Sequence, residues 1–181
     1  MIHPLLIFSR IKHLGLFCFW RALSIVNALV PKNNKSVVFI SFPDMSDNAS
    51  AFYNYLIDNH PGRYEITWLV SSNISAVPNQ QSRILKKNSV RGLFGFFRAK
   101  FVFFTHGHFG SLQGSKDQVL VNLWHGMPLK KIGHYLDDVI VPHANYCICT
   151  SRDYQKIMSI AFGLPLTNVL MVGLPRNDLF L

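Results

Sequence analysis

Acidic side chains are scarce in this 181-residue chain: nine Asp and Glu stand against eighteen Lys and Arg, for a formal charge of +9. No acid precedes Asp44, and none lies between Arg83 and Lys100. Charged residues of either sign make up only 15% and hydrophobic residues 49%, which excludes wholesale disorder. The length suffices for one sizeable core, not for two full domains of ordinary size. Cysteine is sparse too. Cys18, Cys147 and Cys149 are odd in number, sit in apolar surroundings, and lack the spacing of a zinc knuckle. They read as reduced thiols facing a core or a membrane, in a cytoplasmic protein. Repeats and low-complexity tracts are absent. The positive surplus calls for an anionic partner, and nucleic acid, acidic lipid and a phosphate-rich substrate all qualify.

The first 35 residues carry Arg10, Lys12, Arg21, Lys32 and Lys35 and no acid. On a helical wheel Ser9, Arg10, His13, Arg21, Ser24 and Asn27 form a polar stripe, with Leu16, Phe19, Trp20, Leu23 and Ile25 around the rest. Pro31 ends the helix, and Lys32 to Lys35 reads as a polar linker. A transmembrane reading fails on length and on Arg21, which at a bilayer centre costs about 2.5–3.5 kcal/mol. A signal peptide fails for want of a small-residue cleavage site. The expectation is an amphipathic, membrane-associating helix whose cations meet an anionic surface. A helix packed on the protein's own core is the alternative.

From Ser36 onward short apolar runs alternate with helical patterns. Val37 to Phe42, Ile66 to Val70, Phe101 to Thr105, Val119 to Leu123, Tyr146 to Thr150 and Val169 to Val172 read as strands. Asn48 to Asn59 reads as a helix with Ala49, Phe52 and Leu56 on one face, and Arg152 to Phe162 as one with Tyr154, Ile157, Met158 and Ala161. Val90 to Lys100 is a helical pattern interrupted by Gly92 and Gly95, with Leu93, Phe94 and Phe97 apolar. The alternation predicts an α/β fold built on a parallel sheet.

Chemistry concentrates after the fourth of these strands. Trp124-His125-Gly126-Met127-Pro128-Leu129-Lys130-Lys131 places an imidazole at a strand's carboxyl end, where open α/β sheets bind ligands. This stretch, continuing through Ile132 and Gly133, resembles the WHG(T)PLKKIG signature of the CDP-glycerol glycerophosphotransferases, membrane-associated teichoic acid primases and polymerases. Gly173-Leu174-Pro175-Arg176-Asn177-Asp178 resembles the family's GxPRND element, and Ser41 to Asn48 its ESF…SDNP stretch. Departures are Met127 for the usual Thr, Ile40 for the Glu before Ser-Phe, a shorter loop, and Ala49 for Pro.

The resemblance implies the amino-terminal half of a GT-B transferase. It divides the chain into a membrane-associating segment 1–35, an acceptor-side Rossmann-like domain 36–175, and residues 176–181 leading to a carboxyl-terminal nucleotide-binding half. The implied reaction moves glycerol phosphate, or a related polyol phosphate, from a CDP-activated donor to a hydroxyl of a lipid-linked acceptor in teichoic acid or capsule-type polymer synthesis. Its implied place is the cytoplasmic face of the cell membrane, and no cofactor is called for. In that scheme His125 is the general base, and Gly126, Pro128 and Asp178 are among the substrate-binding candidates. Lys130 and Lys131 either steer phosphate or form a solvated start to the next element. Arg176 either holds phosphate through its planar fork or pairs with Asp178 as a turn clamp. Ser46, Asp47 and Asn48 shape the acceptor side, and Asp47 and Asn48 also read as a helix cap.

Other constellations weigh less. His106 and His108 stand at the spacing of a metal pair without a third ligand, which leaves a polar loop lining the cleft. His134 and His143 lack motif support. The basic stretch Arg83, Lys86, Lys87, Arg91, Arg98 and Lys100 has interleaved phenylalanines at helical spacing, which favours anionic lipid or polymer over nucleic acid. Two rivals stay open: a non-catalytic remnant or partner subunit, and a basic nucleic-acid-binding protein.

Overall fold

The computed structural model describes residues 4–72, 82–137 and 139–180, with the side chains of 4–14 and 179 left out. Ser9, Arg10 and His13 of the polar stripe therefore lie outside the described side chains. Seven strands form one sheet: β1 (Asn33–Ile40), β2 (Glu65–Val70), β3 (Ser82–Lys86), β4 (Ala99–Phe104), β5 (Val119–Asn122), β6 (Tyr146–Cys149) and β7 (Val169–Met171). Their order is β3-β2-β1-β4-β5-β6-β7, and every pairing is parallel. The expected Rossmann-like parallel sheet is present. In this order the connections reverse direction between β1 and β4, and a crevice opens there at the carboxyl ends of the strands.

Sequence explains the central strands directly. Val37, Val38, Phe39 and Ile40 of β1 and Trp68, Leu69 and Val70 of β2 are apolar on both faces and buried, as strands covered on two sides must be. β3 was not foreseen. Its Ser-Arg-Ile-Leu-Lys run holds only two apolar residues, and as an edge strand it needs to satisfy only one neighbour.

Helices cover both faces: α1 (Pro4–Leu29), α2 (Asp47–Asn59), α3 (Val90–Arg98) and α4 (Arg152–Phe162). On α2 the buried face is Ala49, Tyr53 and Leu56, with Phe52 at its margin against Phe39 and Phe103. On α3, Phe96 and Phe97 are buried while Phe94 is 52% exposed, a rotation of the expected face. The glycines explain α3. A Cβ at Gly92 would meet the Lys86 carbonyl oxygen and one at Gly95 the Leu85 side chain, so their absence lets the helix lie close on β3. α4 starts on its Ser151 cap, ends in left-handed Gly163, and buries Met158, Ala161 and Phe162. The chain then makes a tight helical turn at Pro175–Phe180.

The expected linker after Pro31 is instead built into the body. Asn33, Asn34 and Lys35 belong to β1, and Lys32 donates to the Asn27 and Phe97 carbonyl oxygens and to Asn27 Oδ1. α1 docks through Trp20, Leu23, Ser24 and Asn27, which recur at helical spacing. Trp20 lies against Gly110, whose place a side chain could not share. Asn27 is fully buried and donates to Gln118 Oε1 at 2.7 Å and to the Gln113 carbonyl at 3.0 Å. Of the stripe's described residues Ser24 and Asn27 therefore turn inward while Arg21 is exposed, and Leu16, Phe17, Phe19, Ile25, Val26 and Leu29 stay exposed as well. Among the described residues no helix is long and apolar enough to cross a membrane.

Asn27→Leu keeps the volume but removes the donor to the buried Gln113 carbonyl and one partner each from Gln118 and Lys32. Urea unfolding is expected to show a loss of roughly 2–4 kcal/mol. A loss under about 0.5 kcal/mol means that α1 is not held by this network.

Candidate active site at the carboxyl edge of the sheet

Three loops meet at the crevice. They follow β1 (Ser41 to Ser46), β4 (Thr105 to His108) and β5 (Leu123 to Ile132), and the turn after β7 closes on them. Their anchor is Asn48, fully buried in the first turn of α2. Its Nδ2 donates to the carbonyl oxygens of Leu123 and Trp124, both at 3.0 Å, and its Oδ1 accepts the Arg176 N–H at 3.2 Å. Asn122 Oδ1 accepts the Trp124 N–H at 2.9 Å. These bonds hold Trp124 at φ +48°, a left-handed conformation that an aromatic residue rarely adopts unassisted. The chain turns sharply there, and Gly126 follows at φ +139°.

Arg176 secures the next peptide. Its Nη1 donates to Asp47 Oδ1 at 2.7 Å and to the His125 carbonyl at 3.0 Å. Of the two readings of Arg176, the clamp with Asp178 is not formed: Arg176 pairs with Asp47, and Asp178 lines a cavity beside Ala51, Phe52 and Tyr55 of α2. Asp47, at φ +60°, also accepts the Asn48 N–H at 2.8 Å. The cap position itself falls to Ser46, which makes no side-chain cap; its hydroxyl donates to the Pro43 carbonyl at 2.6 Å. Asp44 reaches the end of β2 and accepts from the N–H groups of Ser71 and Ser72 and from the Ser72 hydroxyl. Burial opposes its ionisation, but those bonds and the Lys87 charge outweigh burial and hold its carboxyl below the usual range.

His125 emerges from this frame half-exposed. It lines a cavity of about 430 Å³ with Gly126, Pro128 and Lys130. Lys131 is exposed and outside that lining. Leu129 is 99% exposed, and Met127 packs between two parts of the core, an apolar role that suits a thioether in a hydroxyl's place. Burial, then His106, Arg176 and Lys130, push the His125 imidazole below its ordinary value, while Asp47 pulls the other way. At neutral pH the ring is uncharged and able to accept a proton.

The two histidines of the β4 loop part company. His106 stacks on His125, with ring centroids 3.9 Å apart and planes 10° from parallel. His108 turns into the core, 5.4 Å from Phe96 and 5.0 Å from Phe104, with Nε2 on the His143 carbonyl oxygen at 2.9 Å. The two rings thus face different surroundings and do not converge. Among the described residues no three His, Cys, Asp or Glu side chains converge as a ligand set. Cys147 and Cys149 are buried thiols, and burial pushes Cys147 up to about 12.

Sequence reasoning missed the contact between His106 and His125. The available signal was that each ends a strand, but that β4 and β5 are neighbours is a fact of topology.

An open parallel sheet, with a neutral imidazole, a guanidinium and an ammonium at its crevice, defines a Rossmann-type domain suited to hydroxyl and phosphate groups. The chain belongs to the CDP-Glycerol:Poly(glycerophosphate) glycerophosphotransferase family, whose sequence model matches residues 22–181. It is 26% identical over 179 residues to the teichoic acid poly(glycerol phosphate) polymerase of Bacillus subtilis strain 168, covering 88% of this chain and 24% of that protein. Against the polymerase of the same description from Bacillus spizizenii it is 28% identical over 171 residues, covering 83% of this chain and 43% of the relative. The solved wall teichoic acid polymerase TagF matches with a TM-score of 0.74 at 20% identity, over 99% of this chain and 49% of that one. This is the fold of the amino-terminal half of a GT-B transferase, and the chain spans about half the solved polymerase or less of the full relatives.

A pH dependence of stability follows from the histidines. His108 is pushed down to about 4 by burial, with the nearby His143 and Lys87 acting the same way and the His143 carbonyl opposing. His106, His125 and His143 are lowered as well, each chiefly by burial. Below the ordinary histidine range the unfolded chain then binds more protons than the folded one. Stability is complete above about pH 6.5 and falls towards pH 4, His108 alone contributing roughly 3 kcal/mol. Urea unfolding from pH 7.5 to 4.5 is expected to show this decline, flattened in His108→Gln. A flat profile in the parent chain contradicts it.

Proposed function

We propose that this chain provides the acceptor-activating side of a glycerophosphotransferase. The carrying observation is His125: half-exposed, neutral, fixed through its own carbonyl by Arg176, and open to a cavity at the sheet's ligand edge. In this reading the ring takes the proton of an acceptor hydroxyl as the hydroxyl oxygen attacks the glycerol-bearing phosphorus of a CDP-glycerol or related CDP-polyol donor. A new P–O bond forms, the bond to the bridging oxygen breaks, and its electron pair leaves with CMP. Lys130, on the cavity wall, and Lys131, beside it in sequence, supply positive charge to the phosphates. Arg176 serves through position: its fork is engaged by Asp47 and the His125 carbonyl. Ser46 and Asn48 act by shaping the crevice, and Asp178 faces a separate cavity.

The donor nucleotide is assigned to a second half, a reading that the match to about half of the solved polymerase supports. One solved relative, matching with a TM-score of 0.75, is a TagF variant soaked with CDPG. The acceptor is assigned to the membrane, and the product to a teichoic acid or capsule-type polymer. α1 supports the first assignment: it docks by Trp20, Leu23, Ser24 and Asn27 and leaves Phe17, Phe19, Ile25 and Leu29 outward beside Arg21. In this reading such a face lies in a lipid interface with Arg21 among anionic headgroups, and the protein is assigned a peripheral position on the cytoplasmic face of the membrane.

The test is CMP release from CDP-glycerol with a glycerol-phosphate-primed lipid acceptor, with the carboxyl-terminal half of a relative supplied separately. His125→Asn is expected to lower kcat by about 10²–10⁴-fold with little change in KM. Turnover that survives His125→Asn overturns the base assignment. No turnover with either half arrangement favours a non-catalytic remnant. For α1, flotation with vesicles containing anionic lipid is expected to weaken in Phe17→Ser/Phe19→Ser, and flotation unchanged by that substitution removes the helix from membrane binding.

A further inference from the structure

Four ionisable or charged groups face the His125 ring from four places: His106 at the end of β4, Asp47 at the start of α2, Arg176 in the turn after β7, and Lys130 in its own loop. One of them touches it face to face. His106 lies parallel to His125 at 3.9 Å, and Trp124 leans on His125 at 4.1 Å with an interplanar angle of 33°. His106 is fixed in turn. Thr105 Oγ1 stands 3.0 Å from its Nδ1, and Phe42 meets it edge-on at 5.7 Å. Of charged groups, Asp47 and His125 itself face it.

This pairing arises at the switch of the sheet. β4 is the strand where the order reverses, and the loop after β1 supplies Phe42 from across the crevice. His106 lies outside the Trp124–Gly133 stretch and borders a different cavity, about 330 Å³, with Ser71, Lys87 and Pro142. Replacing it leaves the lining of the His125 cavity intact.

Two imidazoles in van der Waals contact take up a second proton only against the strong repulsion of the first. Stacking also restricts rotation of the His125 ring about its own bonds, and a general base needs a fixed direction as well as a free lone pair. We propose that His106 is a positioning residue for His125: it holds the plane of that ring and confines the pair to a single proton, so that His125 meets its cavity as a base. The proposal rests on the reading of His125 as general base. Burial is the first cause for both rings, and on His125 the charge of His106 acts in the same direction.

The test is an NMR titration of the chain with isotope-labelled histidine, using His125→Asn to assign the His125 ring. In the parent chain the His125 ring is expected to titrate below the ordinary histidine range, with an inflection shared with His106. In His106→Asn its midpoint rises by about half a unit or more and the curve becomes a single step. His106→Phe keeps a flat ring in place without a second ionisable nitrogen: the shared inflection disappears while His125 ring contacts to Trp124 persist. A His125 midpoint within about 0.2 units of the parent in both variants overturns the proposal. In the transfer assay, His106→Asn is expected to lower kcat on the order of ten-fold and move its acid limb upward, with KM nearly constant. A raised KM with an unmoved limb contradicts a positioning role. Because the titration needs no turnover, a chain inactive in transfer still decides the pairing, and the two readings fail separately.

Discussion

One buried amide holds the candidate site together. Asn48 has no exposure to solvent, and its side chain closes both carbonyls that precede His125 and the N–H of Arg176. Each of those backbone groups, if left alone in the interior, would cost on the order of 1–3 kcal/mol. The loop after β5 is thus tied to α2 and to the turn after β7, three segments far apart in sequence. Trp124 stays in its left-handed conformation, and the direction in which His125 leaves the strand follows from that turn.

The electrostatics of the crevice rest on the same frame. Among the described residues the pair of Arg176 with Asp47 is the only salt bridge, and it lies where the loop of β5 meets α2. By engaging the guanidinium, Asp47 limits how strongly that cation acts on the imidazoles. Burial then decides, and the rings rest neutral in a chain whose overall charge is +9. The net charge governs which partners approach, whereas the state of the site is set by a few contacts within it.

Much of this was legible in the sequence, and what was missed has physical reasons. The central strands announced themselves by apolar runs, and α4 by its period and its Ser151 cap. The loop of His125 was visible because an imidazole, a glycine and a proline follow a buried strand. Long-range order was harder. The edge strand β3 carries too few apolar residues to stand out, and nothing local distinguishes a helix face with Asn27 inward from one with Asn27 in solvent. Asn48 looked like part of a helix cap because Ser, Asp and Asn commonly serve there, and its role needs β5 beside it. Arg176 sits two residues from Asp178, yet its partner lies 129 positions away at Asp47.

The central claim is that Asn48 imposes the conformation of the His125 loop. It is tested most directly by a crystal structure of the Asn48→Ala chain. The account expects Trp124 to relax to negative φ and the rings of His106 and His125 to separate from their 3.9 Å stack. A variant that keeps Trp124 left-handed and the two imidazoles in contact would contradict it.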